Sequence, residues 1–117
     1  MKYLKLCRFE DLNDREPQHY QVNGLDLVVL RYDDNVSVLY GRCLHRGALM
    51  SDGYVDGNNL ICGLHGWNYR YDTGVSGYNN EEVLHKFSAE IRGENVWVDE
   101  GEINTFSIKT YSDQHVI

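Results

Sequence analysis

Proline is nearly absent: Pro17 is the only one in 117 residues, so the chain's turns fall to its eleven glycines and to Asn and Asp. Cysteine is also scarce. The three present, Cys7, Cys43 and Cys62, are an odd number in a chain whose opening "MKYLKLCRFEDL" lacks the apolar core and small-residue cleavage site of an export signal. That combination excludes a disulfide framework and makes metal the better employment for Cys43 and Cys62. Positive charge is in deficit, with 11 Lys and Arg against 18 Asp and Glu and a net charge of -7. Nucleic-acid binders carry the opposite surplus, so no nucleic acid is expected, and a basic surface suits any partner better. No apolar run approaches the ~18 residues of a membrane helix. The expectation is a soluble, cytoplasmic protein with no membrane partner. A chain of 117 residues, 42% of them hydrophobic, has material for one core and one globular domain.

Turn signals recur every eight to twelve residues, separated by short runs of β-branched and aromatic residues, and this predicts an all-β fold. "LDLVVLRY" after Asn23-Gly24 and "NVSVLY" after Asp33-Asp34 read as strands joined by a tight turn. "NLIC" and "GWNYRY" read as strands flanking a loop. In "EEVLHKFSAEIRGENVWVD" the apolar residues fit either period. The turn at Gly93-Glu94-Asn95 before "VWV" decides for a strand hairpin. "FEDLNDRE" reads as a short helical turn. The segment after Ile103 reads as a tail, either an edge strand or a linker, which divides the chain into a domain at 1–103 and a tail at 104–117.

Two short stretches carry chemistry, "RCLHRGALM" at 42–50 and "ICGLHGWNY" at 61–69. One residue separates Cys43 from His45, two separate Cys62 from His65, and sixteen lie between His45 and Cys62. Thiolate and imidazole are ligands for borderline and soft metals. Four of them on adjacent loops could hold one tetrahedral zinc or a cluster of two irons, and the spacing leaves both open. A Cys/His catalytic dyad is disfavoured, because the pairs are duplicated and have no orienting acid.

These residues resemble the Rieske motif: Cys-x-His-Arg-Gly, then Cys-x-x-His-Gly-Trp, then an aromatic followed by Thr-Gly, here Tyr69 to Gly74. The resemblance covers residues 20 to 99. It implies an antiparallel β-sandwich with a small cluster-binding subdomain formed by the two Cys/His loops. It also implies one [2Fe-2S] cluster per chain, with Cys43 and Cys62 on one iron and His45 and His65 on the other. Replacing two thiolates with neutral imidazoles makes the oxidised cluster neutral. Potentials of about −150 to +300 mV follow, against about −400 mV for all-cysteine plant-type ferredoxins. Respiratory members add a cysteine to each loop and a serine after the second His-Gly. This chain has Ala48, Leu64 and Trp67 there, which points to the low-potential oxygenase-ferredoxin type. It also has Leu44 and Gly63 where proline is common in the family, and Gly77-Tyr78 where Gly-Pro opens a third loop.

The implied function is one-electron transfer, without catalysis, from a flavin-dependent reductase to a terminal oxygenase or other redox acceptor. Two alternatives are an electron-entry domain of a larger redox enzyme and a zinc-stabilised interaction module. Gly47, Gly53, Gly63 and Gly66 are expected to bring backbone N–H groups towards the cluster sulfides. Cys7 reads as a small buried hydrophobe, and His19, His85 and His115 as surface or satisfied histidines.

Overall fold

The structure is a computed structural model and describes residues 2–44, 47–63, 66–77 and 82–106. Among these residues, ten strands form three sheets, and every strand pair is antiparallel. The first sheet has the order β1 (Tyr3–Arg8), β10 (Asn95–Asp99), β9 (Ala89–Arg92). The second runs β2 (Gln18–Val22), β3 (Leu25–Tyr32), β4 (Asn35–Tyr40), β8 (Lys86–Phe87). A third, small sheet runs β5 (Tyr54–Asp56), β6 (Asn59–Ile61), β7 (Asn68–Arg70), and it carries one of the cysteine loops. This is the expected all-β sandwich with a small subdomain.

Local chemistry places the strands. Val22 faces Leu25, leaving Asn23-Gly24 as a two-residue turn with φ of 52° and 83°, the left-handed pair that an Asn-Gly hairpin supplies. Asp33 at φ 56° begins the turn between β3 and β4. Leu27, Val28, Val29 and Leu30 are all 0% exposed, so β3 is covered on both faces and forms the spine of the core. Across it, Val96 and Val98 of β10 and Phe87 of β8 join the same buried cluster. The expected helical turn is a single 3-10 turn at Phe9–Asp11.

One element was not expected. A helix, α1 (Glu100–Thr105), follows β10 directly, and the division anticipated after Ile103 falls inside it. Asp99 caps it by accepting from the Glu102 N–H at 3.3 Å. Phe106 then packs on Tyr40, His85 and Phe87, with ring centroids 5.2, 5.1 and 5.3 Å away. Asn23 ties the first hairpin to this helix through Glu100 at 3.1 Å and Asn104 at 2.8 Å. The rest of the tail, from Ser107 on, lies outside the described residues.

Candidate metal centre

Both cysteine loops are hairpin tips of one design. The first, residues 43–48, is closed at its base by a bridge between Arg42 and Leu49. The second, residues 62–67, is closed by the pair Ile61 and Asn68 of β6 and β7. In the first, Cys43 N–H donates to the Ala48 carbonyl at 2.7 Å and Gly47 N–H donates back to the Cys43 carbonyl at 2.8 Å. In the second, Cys62 N–H donates to Trp67 at 2.7 Å and Gly66 N–H to Cys62 at 3.0 Å. Gly47 at φ 74° and Gly66 at φ 72° make the same left-handed turn, which a side chain would strain. Within this shared six-residue frame, His45 holds the third place and His65 the fourth. Both histidines, with Arg46 and Leu64, lie outside the described residues.

The amides of three loop glycines are engaged within the protein. The Gly47 and Gly66 amides close the loops on the cysteine carbonyls, and the Gly53 amide donates to Met50 at 3.1 Å. Gly53 is required for a different reason: a Cβ there would sit 1.8 Å from the Ile61 carbonyl oxygen. That bare contact lets the segment leaving the first loop lie against the strand entering the second.

Cys43 and Cys62 are 2% and 1% exposed, carry no disulfide, and join one buried cluster. Beside Cys43 lies Tyr69, the aromatic of the motif's third segment, to which the sequence reading assigned no specific role and which is fully buried on β7. Its hydroxyl faces the Cys43 sulfur and the Leu44 backbone, yet meets no partner at full hydrogen-bond geometry among the described residues. Burial, reinforced by the Cys43 and Glu82 charges, pushes its pKa far up, so it remains a neutral O–H donor. A metal-bound cysteine is a thiolate, and thiolate sulfur is the acceptor this O–H lacks. The described half of the site therefore fits a metal or cluster. The signal for Tyr69 was its place two residues past Trp67 on a strand, where side chains alternate between faces. Only the fold shows that Cys43 sits on its side.

A third segment approaches the subdomain. Val75 bridges Val83, and Ser76 N–H donates to the Glu82 carbonyl at 3.0 Å, so residues 75–76 and 82–83 are paired beside β7. Gly77 is anchored to Asn68, while Tyr78 lies outside the described residues. The remaining chemistry-bearing side chains stand elsewhere. Cys7 is buried next to Tyr20, and burial pushes up both the thiol and the phenol, the latter to about 12. His19 is satisfied by Asp26 at 2.8 Å, His85 packs edge-on against Phe87 at 4.6 Å, and His115 lies outside the described residues. Among the described residues no helix is long and apolar enough to cross a membrane.

The fold and the paired cysteine loops define a small β-sandwich protein with two matched loops that each open on a buried cysteine. A family model described as Rieske [2Fe-2S] domain matches residues 2–88, and the chain belongs to that family. Membership implies a [2Fe-2S] cluster-binding site. The chain is 34% identical over 74 residues to the oxidoreductase NdmD of Pseudomonas putida, covering 62% of this chain and 13% of that protein. It is 24% identical over 100 residues to the ferredoxin component of the alkene monooxygenase system of Xanthobacter autotrophicus, covering 84% of this chain and 81% of that one. Among solved structures it resembles Sphingomonas yanoikuyae B1 ferredoxin, with a TM-score of 0.75 and 29% identity over 84% of this chain and 98% of that chain. The chain spans only 12% to 18% of six further curated relatives. In fold it resembles the ferredoxin components of oxygenase systems along most of their length.

Proposed function

We propose that this chain is a cytoplasmic one-electron carrier of the Rieske ferredoxin type, passing electrons from a flavin-dependent reductase to an oxygenase. Cys43 and Cys62 bind one iron and His45 and His65 the other, with one cluster per chain. When bound, the cluster supplies reversible one-electron chemistry. Residues 1–103 are assigned to the Rieske domain and 104–117 to its tail, whose first residues complete helix α1 and pack Phe106 on the domain. The observation that carries the reading is the orphaned Tyr69 hydroxyl set against a buried cysteine at the tip of one of two matched loops.

The chain's own residues then divide the work. The two cysteine sulfurs are held away from water, so the charge change on electron transfer is not dispersed into solvent. Tyr69 donates to the Cys43 sulfur, partly replacing the serine and disulfide dipoles that this chain lacks, within a potential of the low-potential class. The net charge of -7 favours a basic docking surface and predicts association that weakens as salt rises. The alkene monooxygenase ferredoxin, similar along most of its length, supports an oxygenase as acceptor. A second reading, the electron-entry domain of a larger enzyme, is favoured by the match to a 13% segment of NdmD.

Metal and sulfide analysis of the purified protein tests the proposal. The expected result is red-brown protein with two irons and two acid-labile sulfides per chain, bleached by dithionite. Colourless protein holding one zinc would overturn it and leave the zinc-stabilised module.

A further inference from the structure

The first cysteine loop is tied to the framework by side chains whose role the cluster motif does not record. Asp26, near the start of β3, accepts the Gly41 N–H on its backbone carbonyl at 2.8 Å. Its carboxylate accepts Arg42 Nε at 2.8 Å. The same guanidinium reaches forward and donates from Nη1 to the Gly47 carbonyl at 2.8 Å. The other carboxylate oxygen accepts His19 Nε2 at 2.8 Å and Gln21 Nε2 at 3.2 Å. The Asp26 side chain is 15% exposed and that of Arg42 43%. Arg42 immediately precedes Cys43, and Gly47 is the loop's left-handed hinge, so one planar cation spans the loop from entry to exit. In the second loop the corresponding place is held by Ile61, which offers no such bond.

We propose that Asp26 is a positioning residue for the first cysteine loop: through Arg42 it fixes the Gly47 carbonyl and sets the charge next to Cys43. This rests on the cluster reading above. Asp26 orients the guanidinium so that its two faces of donors point one way to the sheet and the other to the loop. Without that anchor, Arg42 turns to solvent and the loop keeps its internal bonds and the backbone pairing at its base. Asp26 also cancels a full positive charge beside a cluster ligand, so its charge and its bracing are separable contributions.

Two variants of the cluster-loaded protein separate them. Arg42→Lys keeps the charge, but a single ammonium cannot span Asp26 and Gly47 as the fork does. Visible absorbance should then be lost to a chelator about tenfold faster, the scale of one charged hydrogen bond discounted for partial exposure, with the potential unmoved. Asp26→Asn keeps an acceptor oxygen and removes the negative charge, so the potential should rise while the rate of cluster loss changes less. Arg92→Gln, which removes an arginine paired with Glu90 on the first sheet, should change neither. Wild-type loss rate in Arg42→Lys together with wild-type potential in Asp26→Asn would overturn the brace, while the carrier function stood. Wild-type protein that contains no iron and sulfide would overturn the function and the brace together.

Discussion

The two cysteine loops close with the same pair of backbone hydrogen bonds, at 2.7 and 2.8 Å in one and 2.7 and 3.0 Å in the other, yet they are supported in different ways. Loop 62–67 grows out of β6 and β7, whose ladder continues straight into it, and it is held by backbone pairing and by the bare contact of Gly53 on Ile61. Loop 43–48 has a single bridge at its base, and the support it lacks comes from Arg42 and Asp26. Equal loop geometry can thus rest on steric fit in one case and on charge in the other. The steric support tolerates no change of volume but is indifferent to pH and salt. The charged support has the opposite sensitivities.

The sharpest way to break the comparison is to exchange the places of His45 and Arg46, giving the first loop the histidine position of the second. If the shared frame alone mattered, the cluster would survive. Moving the imidazole one place along the chain moves it off the third place of the loop, so the expectation is at least a tenfold fall in iron and sulfide per chain. Full occupancy would mean that the shared frame alone matters and that a histidine serves from either place.

Next in size is Gly53→Ala. A Cβ placed 1.8 Å from a carbonyl oxygen forces β6 to move, at a cost of about 3 kcal/mol for an overpacked site. Denaturant unfolding should show that loss along with reduced iron content, and wild-type stability would mean that the loops do not rest on this contact. Tyr69→Phe acts on the centre with little effect on the fold. Removing a hydrogen bond of about 1 kcal/mol from the Cys43 sulfur should lower the potential by about 40 mV, while stability barely changes because the hydroxyl lacks a full partner without the cluster. An unmoved potential would sever Tyr69 from the centre.

The smallest effect is in acid. The His19 hydrogen bond, followed by the Arg42 pair, holds the Asp26 pKa below the ordinary carboxylate range. A lowered folded-state pKa contributes stability that is fully present above the unfolded value of about 3.9 and is lost as pH falls through the lower folded one. The stability difference between wild type and Asp26→Asn should therefore be constant above about pH 5 and shrink below about pH 4. A difference that instead changes around neutral pH would show that another group carries the charge.

Much of this was legible in the residues alone. Hairpin turns such as Asn23-Gly24 are local events set by a few dihedral angles, and the alternation in "SAEIRGENVWVD" needs only neighbouring residues to be read. The Cys43 and Cys62 motifs were equally plain, because metal ligands must be of particular types at particular spacings whatever the surrounding fold. Helix α1 was not legible: six residues including Gly101 have too little intrinsic helicity, and what stabilises them is the Asp99 cap and the Phe106 contact with Tyr40, His85 and Phe87. The Tyr69 hydroxyl beside Cys43 and the reach of Arg42 back to Asp26, 16 residues earlier, were likewise decided only by the tertiary structure. Ligand identity is written in side-chain chemistry, which a sequence carries directly. The environment of each ligand depends on which distant strand the packed core brings beside it, and no local pattern encodes that.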